Sequence, residues 1–165
     1  MKINRVVVGD LETNCYILSI DKDALIIDPG DEYNKIISNA GNKNILGILI
    51  THHHFDHVGA LKYFDCPIYD CSNLEEKNYN IGKFSFDVIY TKGHTNDSIC
   101  FYFKKDNIMF TGDFIFKNGI GRTDLGGNDI DMYNSLNKIK SYDDSIKIYP
   151  GHGDSSTLGE EKRRF

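Results

Sequence analysis

Ile45-Leu46-Gly47-Ile48-Leu49-Ile50-Thr51-His52-His53-His54-Phe55-Asp56-His57-Val58-Gly59 carries four of the chain's six histidines. The apolar run Ile45–Ile50 has the make-up of a buried β-strand. In an extended segment alternate side chains share a face, so His52, His54 and Asp56 turn to one side, and His53 and Phe55 to the other. His57 falls in the first turn of a helix predicted over His57–Phe64. Imidazoles and a carboxylate at this spacing suit a borderline cation such as Zn²⁺. One tetrahedral ion cannot take four ligands from so short a stretch, so the pattern points to two neighbouring metals, each completed from elsewhere.

The remaining histidines argue against a nonspecific His-rich tract. His94 lies in Gly93-His94-Thr95 and His152 in Gly151-His152-Gly153. Each follows a β-like run, Phe86–Tyr90 and Ile146–Tyr149. Asp113 follows Ile108-Met109-Phe110-Thr111-Gly112 in the same manner. A strand that ends in a Gly-flanked ligand is thus a repeated plan, because glycine lets the backbone turn and come close to an ion.

These motifs place the chain by resemblance. Thr51–Gly59 matches the Thr-His-x-His-x-Asp-His signature of the metallo-β-lactamase superfamily, and the remainder resembles its short glyoxalase II-like branch. Thr13-Asn14-Cys15-Tyr16-Ile17-Leu18 is similar to that branch's second strand, and Asp28-Pro29-Gly30 to its early Asp-containing turn. Gly93-His94-Thr95, Thr111-Gly112-Asp113 and Pro150-Gly151-His152-Gly153 resemble its other ligand motifs, in order. Gly121-Arg122-Thr123-Asp124-Leu125 resembles a loop shared by small glyoxalase II-like hydrolases and persulfide dioxygenases, and Ser156–Lys162 the closing segment.

The resemblance implies a full dinuclear site. His52, His54 and His94 would hold one metal, Asp56, His57 and His152 the other, and Asp113 would bridge them. Two Zn²⁺ are the expected cofactors, with iron or manganese as alternatives. Catalytic zinc keeps an open position, and bound water falls in pKa from ~15.7 toward ~7. Metal-bound hydroxide is then the expected nucleophile, with Asp56 as the catalytic carboxylate and the cations stabilising the oxyanion. The implied activity is hydrolysis of a small thioester or related acyl compound. A mononuclear iron persulfide dioxygenase, which uses only two histidines and an aspartate, is the alternative. A nuclease and a non-catalytic metal-binding protein are weaker readings.

Two departures from the family pattern stand out. Asn96 and Asp97 occupy positions where the family has Pro-Gly or similar small residues; a cap or turn role is the plain reading. The stretch between Tyr69 and His94 is short, and Asp70–Asn80 is too short and polar to replace the helix found there in small relatives. Nothing in the chain up to Phe165 resembles the C-terminal helical domain with which full-length glyoxalase II grips glutathione, so glutathione specificity is not carried over.

Composition sets the bounds. A length of 165 residues fits one domain over 1–165, and 40% hydrophobic content fits a globular chain. The net charge of −5 disfavours nucleic acid, which needs a basic surface. No apolar run approaches the ~20 residues of a membrane span, and the N-terminal stretch is too brief for a signal peptide. The expectation is a cytoplasmic protein with a small-molecule acyl substrate and no membrane or nucleic-acid partner. Cys15, Cys66, Cys71 and Cys100 form no Cys-x-x-Cys pair, and all four read as structural thiols.

Predicted strands lie at Ile3–Val8, Asn14–Ser19, Ala24–Ile27, Ile45–Ile50, Pro67–Tyr69, Lys83–Tyr90, Ser98–Phe103, Asn107–Thr111 and Lys147–Tyr149. Predicted helices lie near Glu32–Asn39, His57–Phe64, Ile130–Lys140 and Leu158–Arg164. Two facing sheets with outer helices bury these runs best; the α/β fold that the resemblance implies is the αββα sandwich. Asp28 is either a turn carboxylate or an acceptor that orients a ligand histidine. Arg122 either pairs with Asp124 to shape its loop or receives an anionic substrate group.

Overall fold

In β2 (Thr13–Ile20) both faces are buried, and the two faces go to different cores. Tyr16 and Leu18 enter one apolar cluster, while Cys15 and Ile17 enter another. A strand with apolar layers on both sides reads as a continuous hydrophobic run rather than an alternating one. The computed structural model describes residues 1–165, and the buried runs of β3 and β9 repeat this arrangement.

The first sheet has the order β1 (Lys2–Val8), β2, β3 (Asp23–Ile27), β4 (Asn44–Leu49) and β5 (Ile68–Tyr69). β3 and β4 run parallel, joined by α1 (Tyr33–Ala40). The second sheet is built from β6 (Asn78–Ile81), β7 (Phe84–Tyr90), β8 (Ile99–Phe103), β9 (Ile108–Gly112), β12 (Lys147–Pro150) and β13 (Ser156–Thr157), in the order β13-β12-β9-β8-β7-β6. β9 and β12 form its parallel pair, and α3 (Asp129–Ile139) lies in the connection between them. A small hairpin, β10 (Ile115–Phe116) with β11 (Gly119–Ile120), precedes that helix.

The side chains make this a four-layer αββα sandwich. Leu25, Ile27 and Leu49 from the first sheet meet Phe86, Phe101, Phe103 and Phe110 from the second. Ile36 and Ala40 of α1 cover the outer face of the first sheet. Met132, Leu136 and Ile139 of α3, with Leu158 of α4 (Leu158–Lys162), cover the outer face of the second. Asn128 caps α3 by accepting from the Asp131 N–H at 2.8 Å, which satisfies one free donor of the first turn. Thr157 and Glu160 form a reciprocal capping box on α4,.

The structure corrects several expected elements. The helix expected over His57–Phe64 is α2 (Phe55–Val58) followed by a separate 3-10 turn at Leu61–Tyr63. It breaks where the Ala60 N–H bonds to the Pro29 carbonyl instead of continuing the helical ladder. Asp56 therefore lies in a helix, and the extended-strand alternation that places His52 and His54 does not apply to it. β6 falls within the polar stretch left without structure: it is an edge strand with exposed positions, so its apolar signal is weak. β10, β11 and β13 are two residues each, too short to carry a periodic pattern. No helix is long and apolar enough to cross a membrane.

Candidate metal centre

The ends of β4, β7, β9 and β12 open onto one edge of the sandwich, and the predicted ligands meet there. His52, His54, His94 and Asp113 form one group, and Asp56, His57 and His152 a second; in each group the ligand atoms lie within 4.8 Å of one another. Asp113 reaches both groups. Its Oδ2 lies 3.6 Å from His94 Nε2 and 3.5 Å from His152 Nε2, and its Oδ1 lies 3.3 Å from His57 Nε2.

Each of the five imidazoles has one nitrogen occupied by the protein and the other turned to the centre. His57 Nδ1–H donates to Asp28 Oδ2 at 2.9 Å. His52 Nδ1–H donates to Thr51 Oγ1 at 3.1 Å, and that hydroxyl donates in turn to Asp28 Oδ2 at 2.6 Å. His94 Nδ1–H is taken by the Arg122 carbonyl at 2.6 Å, His152 Nδ1–H by the Leu11 carbonyl at 3.0 Å, and His54 Nε2–H by the Leu125 carbonyl at 3.0 Å. Such partners fix the tautomer and the ring angle of a metal-binding histidine.

The centre-facing atoms have the character of ligand positions. His52 Nε2, His57 Nε2 and Asp113 Oδ1 are buried without a hydrogen-bond partner, although buried polar atoms are otherwise paired. Burial and the neighbouring histidines push His52 well below the ordinary histidine value, so it offers a neutral lone pair. Burial would also lower His57, but Asp28 and Asp113 outweigh it and raise the ring to about 10. His152 rises to about 9 against burial because Asp113 and Asp56 face it. The same rings hold Asp113 and Asp56 far below the carboxylate range against the opposing effect of burial. The carboxylates thus demand positive charge at this point, and the donor set of five imidazoles and two carboxylates fits a pair of divalent cations.

The backbone leaves the space this requires. A Cβ on Gly151 would lie 2.6 Å from His57 Cε1 and would overlap Asp113 Oδ1. One on Gly30 would overlap the Asp56 carbonyl. Thr13, at the start of β2, donates its hydroxyl to Asp56 Oδ2 at 2.7 Å.

Asp28 has the orienting role: it is 2% exposed and serves both His52, through Thr51, and His57. It also holds a left-handed backbone, φ 50°, costly for a residue other than glycine. His53 faces away from the centre, with Nδ1 2.7 Å from Asp97 Oδ2 and Nε2 3.1 Å from Asp70 Oδ2. Asp97 therefore anchors His53 rather than capping a turn. The Arg122 side chain pairs with Asp124 at 2.6 Å through both Nε and Nη2, while its carbonyl serves His94. Phe55, expected to turn away, lines the cleft above the centre, because the α2 helix redirects it. The Leu11, Arg122 and Leu125 carbonyls were missed, since a main-chain acceptor leaves no mark on residue type.

Comparison with known proteins shows the family. The sequence profile of the metallo-beta-lactamase superfamily matches residues 8–65 and 74–152. The chain belongs to that superfamily. It is 33% identical over 202 residues to the probable metallo-hydrolase YqgX of Bacillus subtilis (strain 168), covering 98% of this chain and 95% of that protein. It is 30% identical over 203 residues to the hydroxyacylglutathione hydrolase GloC of Haemophilus influenzae, covering 99% and 96%. Among solved structures it resembles the BLEG-1 B3 metallo-beta-lactamase, with a TM-score of 0.90, 32% identity and coverage of 98% and 97%. TTHA1623 in a di-iron-bound form gives 0.87, 30%, 97% and 97%. ETHE1 from Myxococcus xanthus gives 0.89, 26%, 99% and 82%.

Proposed function

We propose that this superfamily member is a dinuclear zinc hydrolase of small thioesters. The carrying observation is the set of five imidazoles, each with one nitrogen held by the protein and the other aimed at a shared centre with Asp56 and Asp113. When bound, the two cations acidify water and polarise an acyl carbonyl. His52, His54 and His94 would hold one cation and Asp56, His57 and His152 the other, with Asp113 between them. The carboxylate of Asp56, held by the Thr13 hydroxyl, would keep the attacking water in place by accepting a hydrogen bond from it. Asp28 and the Leu11, Arg122 and Leu125 carbonyls keep the imidazole protons on the outer nitrogens, so the inner ones stay free.

The leaving group argues for a thioester. His53 is the one histidine outside the cluster, and its two nitrogens are engaged by Asp70 and Asp97 away from the centre. With no spare histidine to act as general acid, a leaving group that departs without protonation is favoured, and a thiol has a pKa of ~8.5. The likeness to the hydroxyacylglutathione hydrolase GloC supports the same class.

The second reading, an iron persulfide dioxygenase, draws on the Gly121–Leu125 loop and on a centre needing only two histidines and one aspartate. Metal analysis, zinc-loaded turnover on a thioester panel and iron-loaded oxygen uptake with a persulfide separate the two. Two zincs and thioester cleavage are expected. Oxygen uptake with one iron and no thioester cleavage would reverse the assignment.

A further inference from the structure

The cleft above the centre has a volume of about 600 Å³, and its mouth is apolar. Leu11, Phe55, Phe116 and Leu125 line it together with the metal-centre residues, Gly121 and Arg122. Phe55 is 74% exposed, Leu11 52% and Leu125 50%. A single exposed apolar residue is ordinary, but several from separate segments around one functional cleft mark a binding surface. Leu11 comes from the turn after β1, Phe55 from the first residue of α2, Phe116 from β10 and Leu125 from the loop before α3.

This mouth is tied to the centre rather than loosely draped over it. The Leu11 carbonyl accepts from His152 and the Leu125 carbonyl from His54, each at 3.0 Å. The Phe116 ring lies 6.2 Å from the His152 ring. The residues that orient two ligand histidines through their main chain therefore present apolar side chains beside them. Arg122 is the one Lys or Arg in the lining, and its guanidinium is engaged twice by Asp124 at 2.6 Å. The one Lys or Arg of the mouth is thus already paired within its own loop.

We infer, building on the acyl-hydrolase reading, that the substrate's group beside the scissile bond is an uncharged hydrocarbon or aromatic acyl chain held by Phe55, Leu125, Leu11 and Phe116. A thiol part that carries carboxylates, as glutathione does, meets only a guanidinium that Asp124 already holds. The four side chains select the acyl chain, and the centre performs the cleavage.

Calorimetric binding of straight-chain alkyl hydroxamates to the zinc-loaded protein tests this without turnover, because the chelating head stays constant while the tail grows. Affinity should rise about two- to four-fold per methylene, as expected for apolar area leaving water in an open cleft. The heat-capacity change of binding should become more negative with length. Phe55→Ser and Leu125→Ser, both at exposed positions, should keep the melting temperature and flatten the series. In turnover, an uncharged thiol ester of a given acyl group should equal or exceed its glutathione ester in kcat/KM. A flat series in the unmodified protein, or a glutathione ester preferred by more than about tenfold, would overturn the apolar assignment and leave the hydrolase reading intact. Length-dependent binding without cleavage of any thioester would instead remove the hydrolase reading and support the apolar cleft.

Discussion

Asp28 concentrates the local argument of the site. It accepts the Thr51 N–H at 2.8 Å, the Thr51 hydroxyl at 2.6 Å and His57 Nδ1–H at 2.9 Å, all in a buried position. Asp28→Asn tests its charge while sparing the backbone, because asparagine tolerates the left-handed region. Loss of such an orienting partner typically weakens metal binding by about 10–100-fold. Chelator competition should show that loss with the circular-dichroism spectrum unchanged; unaltered affinity would reduce Asp28 to a turn carboxylate. Asp113→Ala and His53→Ala make a matched pair at the same scale. Removal of Asp113 takes away the carboxylate that faces both groups, so the protein should lose at least one metal and its turnover yet remain folded. His53→Ala breaks only the outer contacts with Asp70 and Asp97 and should keep both metals. Equal metal loss in the two variants would refute the orientation assigned to His53. The clustering of the seven residues was legible because a metal centre dictates residue type and spacing. Asp28 was half legible, since a carboxylate in a turn and one behind a histidine share the same sequence. The three carbonyl acceptors were not legible, because every residue has one.

At the scale of elements, the apolar runs located the long strands, and the errors cluster where apolar content is low or the fold overrides local pattern. β6 pairs with β7 from Asn78 to Ile81 with one edge free, and only Tyr79 and Ile81 of its four residues pack on the core. α2 ends early because the Pro29-Gly30 turn packs against it. β2 and β8 illustrate the reliable case, and their cysteines supply a test. Cys15 and Cys100 are fully buried in those strands, whereas Cys66 and Cys71 are partly exposed. Burial pushes the Cys100 thiol up to about 12 and raises Cys15 well above the ordinary thiol value. A raised acid keeps its proton in the folded state while the unfolded thiol ionises near ~8.5. This pair therefore contributes stability below that pH and loses it progressively as pH rises from there toward the folded-state values. At pH 7–8, mass spectrometry after brief alkylation should find label on Cys66 and Cys71, and on Cys15 and Cys100 only after denaturant is added. Rapid labelling of Cys100 in the native protein would contradict the packing of β8 against α3.

For the whole molecule the deciding feature is the seam between the two sheets. The centre works only if the ends of β4, from the first sheet, and of β7, β9 and β12, from the second, keep a fixed distance. Asn14 of β2 ties them directly. Its N–H donates to the Gly151 carbonyl at 2.7 Å, and its side-chain amide donates to the Pro150 and Gly153 carbonyls at 3.0 and 2.8 Å. Tyr16 adds a hydroxyl bond to the Pro150 carbonyl at 2.6 Å. These bonds clasp the turn that presents His152, and Thr13 on the same strand holds Asp56. The Asp56, His57 and His152 group thus depends on this clasp more than the His52, His54 and His94 group does. Asn14→Ala removes the amide but keeps the backbone bond, and Pro150 and Gly153 retain bonds from Tyr16 and Arg5. The expected cost is about 1–3 kcal/mol, or roughly 2–4 °C of melting temperature per kcal/mol for a chain of this size. Metal loss should be unequal: a chelator titration should become biphasic, with one metal released at lower chelator concentration and the other held as before. Equal weakening of both metals would mean that the clasp supports the sandwich as a whole, and unchanged affinity at both would mean that the backbone, Tyr16 and Arg5 bonds hold the turn at His152 without the amide.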